Sequence, residues 1–295
     1  MGARQKNVLL LLFSVSIDMR YNSAMIYLLS FRLSDKKLND PNIYPYSVFR
    51  NKDTEPFVFS PITVLYGNSG CGKSTVLNII ANKLDLKGKE LATPNTFGIL
   101  DYCTAFESEC SYCLSDDEYG HEIKHIPQNS RYLKSEDILY EIKKIQQRQV
   151  LADGMLYDHV KGGMDLKDAK EYLSTKEGKK QQKFIEFAQE KYSNGETSLR
   201  FFEEFLLPDA LYLLDEPEVS LSPANQVLLA EEINRLSRFL GCQFIIATHS
   251  PFMLGTLDAK IYDLDSDDYK VSRWSELENV RYFYDFFRKR KNEFE

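Results

Sequence analysis

Apolar residues along this chain fall into two spacings, and the alternation between them outlines an α/β fold. Residues 26–32, 57–60 and 62–66 near the front, and 211–214 and 243–247 near the back, are short apolar runs that predict buried strands. The run 62–66 leads through a glycine-rich turn into helix-like sequence from Ser74 to Leu84. Gln226 to Leu240 carries Val227, Leu228, Ile233, Leu236 and Leu240 at helical spacing. Between these halves the pattern turns polar. Ser135-Glu136-Asp137 opens a helical stretch with acids in its first turn, and Gly154 and the Gly162-Gly163 pair interrupt it before Glu190. The expectation is one α/β domain over 25–295, with a helical lobe inserted at about 129–207 and a basic, aromatic-rich helix at about 277–291.

Residues 1–24 are expected to be an N-terminal extension or an over-long start, with Met25 opening the first strand. The apolar run Val8–Ile17 follows Arg4 and Lys6 as the apolar part of a secretion signal does. No small-residue cleavage pattern follows it, and it is too short to span a bilayer. Five cysteines leave one over, which with the missing signal points to a reducing, cytoplasmic setting and away from a membrane partner. A formal net charge of -7 gives no bulk attraction for nucleic acid. The lysines between Glu141 and Arg200 alternate with acids, as on a solvated helical face.

The strongest local signal is Gly67-Asn68-Ser69-Gly70-Cys71-Gly72-Lys73-Ser74-Thr75, which fits G-x-x-x-x-G-K-[ST] between a strand and a helix. Its glycines let backbone N–H groups turn towards a phosphate at a positive helix terminus. Lys73 is expected to reach the β- and γ-phosphates, and Ser74 to offer an oxygen to Mg²⁺. Downstream, Asp215 and Glu216 close the run 211–214. Asp215 is expected in the Mg²⁺ shell, and Glu216 as the general base that polarises water.

Taken together, the phosphate loop, the Leu211–Pro223 segment and Gly241–Pro251 resemble the ATP-binding-cassette (ABC) superfamily, in its soluble RecF/SMC/OLD-like branch. Within that branch the chain is similar to small standalone bacterial AAA-type ATPases. The resemblance implies a P-loop NTPase fold of ABC type, ATP and Mg²⁺ as ligands, and a site shared by two subunits joined head to tail in an ATP-dependent homodimer. Ser193 and Gly195, in Tyr192-Ser-Asn-Gly-Glu196, stand where the superfamily signature caps the partner's γ-phosphate, with Asn194 and Glu196 departing from its pattern. His249 matches the switch histidine. Gln128 resembles the glutamine that touches Mg²⁺ and the attacking water. Ser220-Leu221-Ser222 occupies the loop that crosses to the partner, with Ser222 where many relatives carry Asp. Tyr46 or Phe49 could stack on adenine or simply pack.

Cys110, Cys113, His121 and His125, near Cys103, have the ligand types for tetrahedral Zn²⁺, with free buried cysteines as the competing reading. For function three readings stand open. One is an ATPase of DNA repair or phage defence with a separately encoded effector; the others are a transporter's nucleotide-binding subunit and a slow ATP-gated binding module.

Overall fold

The computed structural model describes residues 25–40, 42–52, 55–90, 101–117, 119–137, 154–157, 159–179, 206–219 and 221–295. Among these, eight strands form two sheets. The smaller is antiparallel, in the order β2 (Phe57–Val58), β1 (Leu28–Arg32), β4 (Ser111–Leu114). The larger is fully parallel, in the order β5 (Arg131–Lys134), β6 (Ala210–Asp215), β7 (Cys242–Ala247), β3 (Ile62–Tyr66), β8 (Lys260–Asp263).

The apolar runs are continuous because the parallel sheet is covered on both faces. Successive side chains alternate between two buried layers. Val64, Tyr66, Tyr212, Leu214, Phe244 and Ile246 join one core. It is closed by α5 (Pro223–Phe239) and α6 (Pro251–Thr256). Leu65, Leu211, Leu213, Ile245 and Ala247 join the other. That face is covered by α2 (Lys73–Lys83) and the smaller sheet. Further helices among the described residues include α1 (Tyr46–Phe49), α3 (Tyr102–Glu109), α4 (Leu166–Ser174) and α7 (Glu278–Lys289).

Two differences from the sequence expectation matter for the site. A lobe starting at 129 would contain β5, yet β5 is a core strand whose Lys134 lies in register with Asp215. Its four residues were too few to stand out from the polar sequence that follows. β8 was not expected either, although it flanks the phosphate-loop strand. The segment 180–205, which holds Ser193 and Gly195, and residue 220 lie outside the described residues.

Candidate nucleotide site

Strand order brings the motifs together. β7 separates the phosphate-loop strand β3 from the acidic strand β6, so the three parallel strands end side by side. Leu65 and Asp215 are each in register with Ala247. The turn after β3 is the phosphate loop, the turn after β6 is Glu216-Pro217-Glu218, and the turn after β7 is Thr248-His249. Chain segments distant in sequence therefore converge at the carboxyl edge, where parallel α/β sheets hold ligands.

The loop needs its glycines. Gly72 has φ +101° at the cap of α2, and a Cβ there would lie 2.7 Å from Val48 Cγ1. Lys73 is buried, and its ammonium donates to the carbonyls of Gly67 (2.7 Å) and Asn68 (3.1 Å). The Asn68 N–H donates to the Asp265 carboxylate at 2.9 and 3.0 Å. Lys52 in turn fastens the segment after β8 by donating to the carbonyls of Leu264, Asp265 and Ser266. Burial pushes the Cys71 thiol up, which disfavours a reactive thiolate inside the loop.

Asp215 is buried at the end of β6. The Tyr132 hydroxyl donates to its Oδ2 at 3.2 Å, while Oδ1 is buried without a hydrogen-bond partner. Desolvation raises its carboxyl above the usual range, against the opposing effects of the neighbouring Ser74 and Tyr132 hydroxyls. Burial drives the Tyr132 phenol far above its ordinary range, so this hydroxyl stays a donor. Beside Asp215 opens a cavity of about 310 Å³, lined by Ser74, Thr75, Tyr44, Tyr132, Lys134 and Glu216 among others.

Glu216 takes a left-handed conformation at φ +48°, held by its N–H donating to Ala247 O at 2.9 Å. A non-glycine residue there is strained by roughly 1–3 kcal/mol, and such residues cluster at functional sites. The turn aims Glu216 Oε1 to within 3.5 Å of His249 Nδ1. Both side chains are partly open, 33% and 52% exposed.

Phosphate loop, acidic pair and histidine thus stand at the ends of three adjacent parallel strands, with the histidine strand in the middle. The chain has the P-loop NTPase fold of ABC type. Residues 110–255 match the family model described as "AAA domain, putative AbiEii toxin, Type IV TA system". The phosphate loop precedes that stretch, and the acidic pair and His249 fall inside it. No curated protein matches the chain. Solved structures similar to it include an Smc head domain with an extended coiled coil bound to the C-terminal domain of ScpA, from Pyrococcus furiosus. That likeness has 16% identity over 81% of this chain and 93% of that one, at a TM-score of 0.40. The SMC head domain from Thermotoga maritima gives 13% identity over 81% and 94%, at 0.40. An SmcHead bound to the C-winged helix domain of ScpA gives 17% over 80% and 93%, at 0.42. The motifs and the strand order carry the fold assignment, not those distant likenesses.

Several expected site residues are elsewhere. Gln128 lies three residues before β5, at the amino-terminal edge of the sheet, beside Asp85, Leu86 and Ser130. That is the far end of α2 from Lys73, and an 11-residue helix is about 16 Å long. Gln128 therefore does not join Ser74 and Asp215. The chain leaving β5 at the correct edge is Ser135-Glu136, and both line the cavity. Tyr46 and Phe49 are buried against Phe106, so neither offers a face to adenine. Cys110 is buried in the core with its thiol pushed up to about 11 by desolvation, whereas Cys113 is exposed on β4. His121 is exposed and pairs with Asp117. Among the described residues no group of three or more His, Cys, Asp or Glu side chains could hold a metal ion, which leaves the zinc reading without a site.

Sequence reasoning also passed over Tyr132, Asp265 and Glu218. None belongs to a local motif with a mechanism. Glu218 alone carried a hint, as a second acid directly after Pro217.

Proposed function

We propose that this protein hydrolyses ATP in a Mg²⁺-dependent reaction and that ATP joins two copies head to tail. The observation that carries the reading is the approach of Glu216 Oε1 to His249 Nδ1 at 3.5 Å, with Glu216 lining the same cavity as Asp215, Ser74 and Thr75. Glu216 accepts a proton from the attacking water, and Lys73 and the loop amides hold the phosphates. His249 hydrogen-bonds the γ-phosphate. Gly67, Asn68, Ser69, Gly70, Cys71, Gly72, Ser74 and Thr75 form the cradle.

The residues present fit Mg²⁺. Asp215 Oδ1 is a buried carboxylate oxygen without a protein partner, and the Ser74 hydroxyl stands next to that carboxyl. These two residues would hold the ion, which when bound supplies positive charge to offset that of the phosphates.

In the dimer Ser193 and Gly195 of one copy complete the other copy's site, and hydrolysis releases the pair. The cycle works in the cytoplasm on a separately encoded effector, in DNA maintenance or phage defence. The matched family's description as a Type IV TA system toxin favours the defence role. Among the described residues no helix is long and apolar enough to cross a membrane.

The test is the solution molar mass of the wild type and of Glu216→Gln, with and without Mg-ATP, alongside phosphate release. The expected result is an ATP-dependent doubling of mass in both, with release only by the wild type. Unchanged mass and no release from either would overturn the proposal.

A further inference from the structure

Glu218 is a carboxylate only 6% exposed. Its Oε1 accepts from the Thr248 hydroxyl and from the His249 N–H at 3.3 Å. Its Oε2 is buried without a hydrogen-bond partner. Enclosing a carboxyl with half its acceptor capacity unused is costly, and an apolar residue of similar volume would pack there at less expense. Glu218 therefore does something in this turn that an apolar side chain cannot.

Both of its hydrogen bonds go to the turn that presents His249, and they belong to a closed circuit. The Thr248 Oγ1 that donates to Glu218 accepts from the Ser250 N–H at 3.1 Å. The Ser250 hydroxyl donates to Gln226 Oε1 at 2.6 Å, and Gln226 Nε2 donates to the Leu221 carbonyl at 3.0 Å. The Leu221 N–H donates to the Glu218 carbonyl at 2.9 Å, which closes the ring. Thr248 is also tied to the phosphate-loop strand, its N–H donating to Leu65 O at 3.4 Å. The circuit thus joins the turn after β6, the turn after β7 and the start of α5, whose N-cap is Ser222.

We infer that Glu218 is a positioning residue: it anchors the backbone of His249 so that the imidazole faces Glu216, and the ring through Thr248, Ser250 and Gln226 links that placement to the Leu221–Ser222 turn. The inference rests on the proposed roles of Glu216 and His249. Gln at 218 retains the Oε1 acceptor with nearly the same shape; Ala removes it. Val at 248 removes the donor hydroxyl while keeping the side chain's shape.

The test uses the full chain as wild type, Glu218→Ala, Glu218→Gln, Thr248→Val and the Glu218→Ala/Thr248→Val pair. Two readouts are taken: the Cε1–H NMR cross-peak of His249, assigned by its loss in His249→Gln, and steady-state phosphate release with Mg-ATP. The His249 peak is expected to shift in Glu218→Ala and in Thr248→Val. In both, kcat falls by about 10- to 100-fold, the scale of a misplaced catalytic group, while KM for ATP stays within about twofold. The loss in the double variant is smaller than the product of the two single losses, because the two changes share the Thr248–Glu218 hydrogen bond. Glu218→Gln recovers most of the loss and returns the peak. An unmoved His249 peak in Glu218→Ala and Thr248→Val overturns the inference, as does a Glu218→Gln variant as impaired as Glu218→Ala. If Glu218→Ala does not fold, Thr248→Val and Glu218→Gln carry the same decision. A wild type that releases no phosphate overturns the hydrolysis reading instead, and the His249 peak still decides the role of Glu218.

Discussion

At the amino-terminal end of β7, Gln243 is fully buried and all its polar atoms are used. Its Oε1 accepts from the N–H groups of Tyr27 and Leu28 at 2.8 and 2.9 Å, and its Nε2 donates to the carbonyls of Leu28 and Ser60 at 2.9 and 3.3 Å. Nearby, Ser130 Oγ accepts from the Leu211 N–H at 2.8 Å. At the carboxyl end of the same strands, Asp215 Oδ1 and Glu218 Oε2 are buried without partners and Glu216 is held in a left-handed turn. The two ends share one apolar interior, so hydrophobic burial does not distinguish them. At one end the polar atoms of Gln243 are satisfied by the protein and join the small sheet to the large one. At the other end the protein leaves carboxylate oxygens open, the condition expected where a ligand completes the set.

Substitutions at the two ends should separate function from stability. The largest effect is expected for Glu216→Gln, which should lower phosphate release by about 10²- to 10⁴-fold, the usual contribution of a general base. Its thermal midpoint should stay close to that of the wild type; a fall in both together would mean that the carboxyl end is structural too. Gln243→Leu should do the reverse. It strands the Tyr27 and Leu28 N–H groups and two carbonyls, and with each stranded group worth about 1–3 kcal/mol, urea unfolding should show a loss of about 3 kcal/mol or more. Phosphate release per folded molecule should be unchanged.

The carboxyl end should also show its character in pH dependence. Desolvation raises Asp215 above its ordinary value of 3.8, so in the transition between its unfolded and folded pKa values the native state binds more protons. Its contribution to stability is fully present below the unfolded pKa and is lost as pH rises through the folded one. Asp215→Asn should therefore be more stable than the wild type at neutral pH, with the gap closing as pH falls towards 3.8. Denaturant midpoints across that range would show it, and a gap that widens in acid would contradict the stated cause. The smallest change is expected for Tyr132→Phe, which removes one donor to Asp215 and should cost on the order of 1–3 kcal/mol at pH 7. That cost should shrink when saturating Mg-ATP is present, a comparison that thermal shift can make.

The parts of the fold readable in the sequence were those whose signal is local. The runs at 62–66, 211–214 and 243–247 are continuous because each strand is covered on both faces. The phosphate loop is legible because its glycines and Lys73 act within nine consecutive residues. β5 escaped notice because four residues beginning with Arg131 and ending with Lys134 show little apolar pattern. Gln128 misled because a short sequence match carries no direction: parallel strands have a ligand end and a far end, and Gln128 precedes its strand. The cysteines left two readings open, since spacing along the chain did not show that Cys110 turns into the core while Cys113 faces outward.

Sequence alone therefore determined the chemistry on offer: a phosphate cradle, an acidic pair and a histidine, each at the end of an apolar run. Tertiary structure decided how they meet. By inserting β7 between β3 and β6 it set His249 against Glu216, and it placed Asp265 on the loop's Asn68 and Glu218 beneath the histidine turn. Those pairings span 33, 197 and 31 residues. Local backbone preference cannot encode contacts over such distances; only the packing of parallel strands into one sheet brings them within hydrogen-bonding reach.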